Sequence, residues 1–468
     1  MSFIQNNIYP RLPVFVQNIG ISAFGFQWYL RRFGGIFKQE YSACKDREAY
    51  SIDQWKEYQT LQLRKLLVHA FNTVPHYNKS FLEAGFTAIQ LAHFEIDQLS
   101  KLPLLEKDTL RRDGKSTLLS SEKEAGGTSF SSSGSTGTPT SILFSHAMHQ
   151  KSAALYEARV RNWAGVTRFD PRGMIGGRRI LPAGNAKPPF YRYNFIEKQL
   201  YFSAYHINKQ TAPGYAEGLS KYSTQYMVGY AMSNYILAKF LQEAGVTPPP
   251  MKAVLTSSEK LTPTMRKTLG EVYNCRVYDG WSGVENCGLI SENEYGQLLI
   301  SPDSAYIEIL KADGTHAQPG EEGELVCTGF INYDQPLIRY RIGDMVKVAE
   351  DQVTKCGRAF TVVDEIVGRV EDVVVGKDGR EMVRFHGIFV NLPNVIKGQV
   401  IQEEIEKFTI NVMTNGLTAK ERETIKSRMV SQLGEVSIHI NEMSDIPVSN
   451  NGKFRAVISK VKAGSIQV

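Results

Sequence analysis

Residues 275–285 read CRVYDGWSGVE, where a short apolar stretch leads into an aromatic residue between two glycines and then a carboxylate. Cys275–Asp279 is typical of a short buried strand, as is Lys252–Ser257 before it. We predict a turn and a helix after each strand, an alternation that favours α/β layering. Trp281 offers a flat face for a purine ring, and Glu285 offers a carboxylate for Mg²⁺ bridging phosphates. A core tryptophan and a solvent-facing glutamate are the alternative interpretation.

The patterns on either side of this stretch predict two domains. Residues 50–110 have apolar residues at helical spacing, and residues 296–375 are rich in strand patterns. Strands, a helix near Ala419–Leu433 and a polar loop follow. We therefore expect an N-terminal domain of layered α/β sheets with a β-rich subdomain, residues 1–367, and a small α+β domain, residues 368–468.

The composition is that of a globular protein. The 468 residues are 42% hydrophobic and 22% charged, which excludes wholesale disorder. Lys and Arg exceed Asp and Glu by 54 to 48, a mild excess that suits a small anionic substrate and does not indicate nucleic acid. The five cysteines form no CxxC pair, which disfavours a disulfide scaffold or a zinc finger. We expect a reducing cytoplasm.

An uncharged run, residues 12–30, lies between Arg11 and Arg31. It holds too many polar and small residues for a good membrane span, and no cleavage site marks it as a signal peptide. We expect a helix packed on the protein's own body. The alternative is an amphipathic surface that contacts a membrane or a partner.

A Ser, Gly and Thr run covers residues 128–140. Glycines let backbone N–H groups approach phosphate oxygens, and hydroxyls add donors, so the run is a candidate anion site. It lacks the Gly-Lys-Ser/Thr ending of a P-loop, and a flexible linker is the alternative. The candidate contacts are Ser132, Ser133, Gly134, Ser135, Thr136, Gly137 and Thr138.

Three further motifs carry charged side chains. Ile338–Asp344 reads IRYRIGD, and Asp344 after its glycine is placed to accept bonds from two ribose hydroxyls; a strand-end turn with a salt bridge is the alternative. Gly368–Asp372 sets an arginine beside two acids. Lys453 lies in a polar stretch near the C-terminus, where it either enters a site as a point charge or is simply solvated.

In this order and spacing, the five motifs resemble the adenylate-forming superfamily. The similarity extends over essentially the whole chain and is strongest to the phenylacetate–CoA ligase family, in its CapK-type branch. The resemblance implies an ATP-dependent, AMP-forming carboxylate ligase with a mobile C-terminal domain. It also implies a link to capsule or surface-polysaccharide biosynthesis, with ATP and Mg²⁺ as cofactors. The partners would be a small carboxylic acid and an acceptor, which is CoA, an amine or a sugar hydroxyl.

The resemblance also implies roles for individual residues. The Ser/Gly run would hold the β- and γ-phosphates, Trp281 would contact adenine, Glu285 would hold Mg²⁺ and Asp344 would bind the ribose. The implied catalytic residues are Lys453, Glu285 and Arg369, with a hinge at Glu371 or Asp372. The other implied nucleotide contacts are Ser258, Glu259, Tyr278, Asp279, Gly280 and Arg358.

Two regions of the sequence allow more than one functional interpretation. Aromatic residues crowd 190–235, and of these we take Tyr205, with His206 beside it, as candidate contacts for the acyl substrate; a core role is the alternative. The stretch from Trp281 to Glu285 also lacks a glycine and a hydroxyl that the family usually has. This leaves open an adenylyltransferase that passes AMP to a hydroxyl, or a nucleotide-binding protein without turnover.

Overall fold

The computed structural model describes residues 9–131, 140–176, 180, 188–203, 206–258, 261, 263–367, 374–376, 381–382, 388–389, 392–414, 416–443, 446 and 457–461. They form two compact units, the first drawn from Met1–Glu106, Ser116–Thr128 and Leu143–Gly368, the second from Lys107–Lys115, Ser129–Ile142 and Arg369–Val468. The sequence-based division places the two shorter segments of the second unit in the N-terminal domain. A domain boundary at residue 367 stays a prediction.

The helices are α1 (Val14–Phe33), α2 (Phe37–Asp46), α3 (Ile52–Thr73), α4 (Pro75–Glu83), α5 (Ala88–Ala92), α6 (Lys107–Asp113), α7 (His146–Leu155), α8 (Ala212–Lys221), α9 (Ala231–Glu243), α10 (Pro263–Tyr273) and α11 (Ala419–Leu433). The strands are β1 (Thr128–Ser131), β2 (Ser141–Phe144), β3 (Arg172–Gly176), β4 (Tyr191–Asn194), β5 (Gln199–Ser203), β6 (Tyr226–Tyr230), β7 (Ala253–Ser257), β8 (Arg276–Tyr278), β9 (Gly280–Trp281), β10 (Ile290–Glu292), β11 (Leu298–Ile300), β12 (Ala305–Leu310), β13 (Glu322–Gly329), β14 (Tyr340–Val348), β15 (Val362–Ile366), β16 (Val374–Val375), β17 (Glu381–Met382), β18 (Val395–Glu404), β19 (Lys407–Thr414), β20 (Ser437–Met443) and β21 (Val457–Ser459). A π-helical turn, Tyr156–Arg161, continues α7.

A largely parallel sheet lies in the first unit. Its strand order is β4-β5-β3-β6-β7-β8, and only β4 runs antiparallel to its neighbour. Four of the five residues of β7 are buried, as expected for a strand covered on both faces. The carboxyl ends of β6, β7 and β8 lie side by side, where ligands commonly bind in parallel sheets.

An antiparallel sheet forms the β-rich part of the same unit, with the order β12-β13-β14-β15-β11-β10-β9. The chain passes from the parallel sheet to this one at Asp279, between β8 and β9. The prediction of a helix after β8 is therefore wrong. Gly280 and Trp281 instead pair with Ser291 and Ile290 of β10. The helix expected after β7 is present as α10.

The second unit contains a four-stranded mixed sheet, β20-β19-β18-β21, packed with α11. Thr418 and Glu421 form a capping box that begins α11, so that both side chains satisfy exposed backbone N–H groups. Together the sheets and helices confirm the predicted α/β class. No helix within the described residues has both the length and the apolarity that crossing a membrane requires.

Candidate nucleotide site

The carboxyl ends of β7 and β8 hold two of the predicted nucleotide contacts. Ser258 follows β7 in the left-handed region, at φ +70°, a backbone conformation that a non-glycine residue adopts at a cost. Asp279 follows β8. The Thr256 hydroxyl joins the two strand ends by donating to the carbonyl of Tyr278 at 3.0 Å and to Asp279 Oδ1 at 3.4 Å. Ser258 and Asp279 therefore lie on adjacent, connected strand ends.

Trp281 and Asp344 are in direct contact. The indole Nε1–H of Trp281 donates to Asp344 Oδ2 at 3.0 Å. Trp281 is buried, whereas Asp344 is partly exposed. The two residues are 63 positions apart in the sequence, and the antiparallel sheet brings them together. One side chain has the shape to face a base, and the other has the charge to accept ribose hydroxyls.

A bulge in β14 presents Asp344. Met345 pairs with Glu324 and Arg341 pairs with Val326, so three residues of β14 lie opposite Leu325 alone. Gly343, at the centre of the bulge, has φ +82°, a conformation that glycine adopts without strain.

Glu285 is a buried carboxylate that contacts β14, the strand that carries Asp344. The hydroxyl of the fully buried Tyr340 donates to Glu285 Oε1 at 3.3 Å. A Cβ atom at Gly283 would lie 2.7 Å from Glu285 Oε2, so glycine at 283 gives the carboxylate its space. Mg²⁺ is commonly bound by one or two carboxylates together with substrate phosphates, and a single buried carboxylate fits that mode. Within the described residues, no group of three His, Cys, Asp or Glu is placed to hold a metal ion by itself.

Asp279 has unusual electrostatics. Burial, together with the nearby Glu292 carboxylate, raises the pKa of Asp279 to about 7. The N–H of Gly280 and the guanidinium of Arg266 oppose the shift. Arg266 itself pairs with Glu292 through two bonds, at 2.9 and 2.8 Å, so its charge is largely engaged. Asp279 can therefore hold a proton near neutral pH.

Arg358, another predicted nucleotide contact, bonds to protein carboxylates. Its Nε donates to Glu48 Oε2 at 3.0 Å, and its guanidinium lies 4.8 Å from the centre of the Trp163 ring. Glu48 also binds the fully buried Arg159, which reaches Asp303 at 3.1 Å. Arg358 is thus part of a buried ion network, and its contact with a nucleotide stays a prediction.

The remaining predicted residues are placed as follows. Tyr278 ends β8, with the Arg276 guanidinium 5.2 Å from its ring centre, and the carbonyl of His206 accepts a bond from Thr211 Oγ1 at 2.6 Å. β1 and β2, which flank the Ser/Gly run, pair with each other. The predicted residues outside the described ones are Ser132, Ser133, Gly134, Ser135, Thr136, Gly137, Thr138, Tyr205, Glu259, Arg369, Glu371, Asp372 and Lys453.

Two supporting residues were not found from the sequence. Tyr340 contacts Glu285 across 55 positions, and no local pattern indicates it. Arg339, at φ +48°, forms two bonds of 2.9 Å to Glu308 and also donates to the carbonyls of Ser100 and Leu102. The arginine before a Gly-Asp turn is the signal that predicts such a salt bridge. It fixes the start of the strand that carries Asp344.

Comparisons with known proteins show what the whole chain is similar to. A family model described as the CapK C-terminal domain matches residues 374–460. Protein CapK of Staphylococcus aureus is 23% identical over 474 residues, which cover 98% of this chain and 100% of that protein. Phenylacetate-coenzyme A ligase of Pseudomonas putida is 23% identical over 432 residues, 88% of each chain. The chain is thus similar over nearly its whole length to protein CapK and over most of its length to a phenylacetate-coenzyme A ligase.

A solved structure shows the same fold. It is 2-hydroxyisobutyryl-CoA ligase in complex with 2-HIB-AMP and CoA, with a TM-score of 0.59 and 18% identity, covering 88% of this chain and 91% of that one. The predicted resemblance to the phenylacetate–CoA ligase family and the predicted class of enzyme, an AMP-forming ligase of the phenylacetate–CoA ligase type, are both confirmed.

Proposed function

We propose that this chain activates a small carboxylic acid with ATP, forming an acyl adenylate and pyrophosphate, and then transfers the acyl group to an acceptor. The observation that supports this most is the contact between Trp281 Nε1 and Asp344 Oδ2, with the buried Glu285 bonded through Tyr340 to the strand that carries Asp344. It joins an aromatic face, a ribose-binding carboxylate and a metal-binding carboxylate within one region of the first unit. Adenylate formation needs these three functions.

Each residue has a distinct role in the proposed reaction. Asp344 accepts bonds from the ribose hydroxyls while the indole N–H of Trp281 holds its second oxygen in place. Glu285 binds Mg²⁺, and the Tyr340 hydroxyl fixes one oxygen of that carboxylate. When bound, Mg²⁺ offsets the negative charge of the phosphates. Lys453 adds a positive charge at the α-phosphate, where charge increases during attack.

Two bond exchanges complete the proposed cycle. In the first, a carboxylate oxygen of the acid forms a bond to the α-phosphorus and pyrophosphate leaves. In the second, the acceptor attacks the acyl carbon, AMP leaves and the acceptor's proton is released. A hinge at Glu371 or Asp372 and the nearby Arg369 would allow one site to serve both steps and exclude water from the adenylate.

The names of the relatives favour a particular acceptor and pathway. Phenylacetate-coenzyme A ligases and 2-hydroxyisobutyryl-CoA ligase are named for CoA, so a CoA thioester is our first choice, with an amine or a sugar hydroxyl as the alternative. The name of protein CapK supports a role in capsule or surface-polysaccharide biosynthesis. Five free thiols and the use of ATP favour the cytoplasm.

ATP–pyrophosphate exchange across a panel of aryl, amino and uronic acids tests the proposal. We expect exchange with at least one acid, lost in Lys453→Ala and retained in Lys460→Ala, a control that removes an exposed lysine paired with Glu403. Transfer of labelled AMP to a hydroxyl compound without acid-dependent exchange would replace the ligase with an adenylyltransferase. ATP binding with neither reaction would indicate a binding protein without turnover.

A further inference from the structure

The N-terminal helix α1 buries its polar side and exposes its apolar side. Its four buried residues are Gln17, Asn18, Ser22 and Gly25. This is the reverse of an ordinary surface helix, in which the apolar stripe faces the core.

Specific hydrogen bonds hold α1 in this orientation. Asn18 Oδ1 accepts from the backbone N–H of Tyr193 at 3.0 Å, and Ser22 Oγ accepts from that of Phe195 at 2.9 Å. Gln17 Oε1 accepts from the buried Arg192 guanidinium. Turning α1 to bury its apolar side would break all three bonds and leave buried polar groups without partners, which is costly.

The outward side of α1 is rich in exposed apolar side chains. Phe15, Ile19, Phe26 and Leu30 are spaced four, seven and four residues apart, which places them on one side of the helix. The exposed apolar residues of this segment are Leu12 (37%), Phe15 (66%), Val16 (40%), Ile19 (49%), Phe24 (51%), Phe26 (51%) and Leu30 (53%). A helix of 20 residues is about 30 Å long.

The turn between β4 and β5 extends this surface. Phe195 and Ile196 are 48% and 46% exposed, and the bond from Phe195 to Ser22 places them beside α1. Glu197 in the same turn is buried and paired with Arg32 and Arg172, while Lys198 is exposed. The turn thus presents two apolar side chains and one cation outward, with its only acid turned inward.

The charged residues of the N-terminal segment are all of one sign. Residues 1–39 contain no Asp or Glu, but contain Arg11, Arg31, Arg32 and Lys38. Arg11 and Lys38 are exposed. An apolar, phenylalanine-rich helix side with surrounding cations is complementary to an anionic lipid surface. A symmetric contact between two copies would instead bring like charges together, which is unfavourable.

We propose that α1, together with the β4–β5 turn, binds the surface of an anionic membrane. The helix lies in the plane of the headgroups, with Phe15, Ile19 and Phe26 in the acyl boundary and Lys198 and Arg11 at the phosphates. This function is separate from adenylate formation, and it would bring the enzyme to a lipid surface.

Flotation of the full chain with lipid vesicles tests the proposal. We expect the protein to float with phosphatidylcholine vesicles that contain phosphatidylglycerol, less with phosphatidylcholine alone, and less again at high salt. The variant Phe15→Gln/Ile19→Gln/Phe26→Gln should lower the partition coefficient at least about tenfold, because three exposed apolar side chains no longer enter the acyl layer. The single variant Phe15→Gln should show part of this loss.

A matched control removes three exposed apolar residues elsewhere in the first unit. Ile52, Leu82 and Ile89 are 75%, 53% and 76% exposed, and their replacement by Gln should leave flotation unchanged. Both triple variants should keep the wild-type unfolding midpoint and exchange activity without vesicles. Equal flotation of the two variants would overturn the proposal. Failure of the wild-type chain to float with either kind of vesicle would also overturn it. The same holds if such a chain is found by light scattering to dimerise through α1.

Discussion

Replacing Trp281 by Phe distinguishes the contribution of the indole N–H from that of the aromatic ring. Phe keeps a ring at 281 but loses the donor that reaches Asp344 Oδ2 at 3.0 Å. A hydrogen bond to a charged group contributes about 1.5–3 kcal/mol, and partial exposure of Asp344 places this one near the lower end. About 1.4 kcal/mol corresponds to a tenfold change in an equilibrium constant.

We therefore expect Trp281→Phe to raise the KM for ATP about tenfold in pyrophosphate exchange. The kcat should change little, because a ribose contact made equally in the ground and transition states affects binding alone. Trp163→Phe is the matched control. Trp163 is equally buried, and its Nε1 also donates to a carboxylate, Glu48 Oε1, at 3.3 Å.

The outcome distinguishes two explanations. If Trp281 orients Asp344 for ribose, only Trp281→Phe raises the KM, while both variants lose some stability to unfolding. An unchanged KM in Trp281→Phe, or the same rise in Trp163→Phe, would refute the role of this contact in ATP binding.

Two other predictions concern stability. Because burial raises the pKa of Asp279 to about 7, the folded state keeps a proton that the unfolded state releases above about pH 4. Urea unfolding of the wild type should thus show stability falling as pH rises from about 4 to 7, a dependence that Asp279→Asn should reduce; equal slopes would contradict it. Arg159→Met should cost about 3 kcal/mol, because it removes a fully buried cation that pairs with both Asp303 and Glu48 and leaves Asp303 with Arg47 alone. Lys56→Met, which removes an exposed ion pair, should cost under about 1 kcal/mol in the same assay, and equal losses would refute the burial argument.

Local elements were predictable from the sequence. α11 has the bounds that its pattern predicts, Ala419–Leu433, since a capping box and a helical period act within a few residues. The helix expected across residues 12–30 is present as α1, and the strand expected at Lys252–Ser257 is β7. Each of these elements is specified by neighbours in the chain.

The contacts that build the candidate site were not predictable in the same way. The motifs indicated Trp281, Glu285 and Asp344 separately, but their proximity depends on how β9 and β14 join one sheet. The wrong prediction of a helix after β8 has the same origin, because Gly280 and Trp281 pair with the later strand β10 instead. Strand pairing across many residues leaves little trace in a local pattern.

The bulge in β14 has a consequence for how freely this region can vary. Its excess over β13 is two residues, an even number, so Tyr340 before the bulge, Ile342 within it, and Val346 and Val348 after it all stay on the buried side. Asp344 is therefore partly exposed, while the strand on either side of the bulge keeps its alternation of buried and less buried residues. The bulge can therefore change its residues, or gain or lose two residues, without moving the buried side chains of β14 to the other face of the sheet. Ligand contacts at the bulge can thus change independently of the packing that keeps the sheet folded.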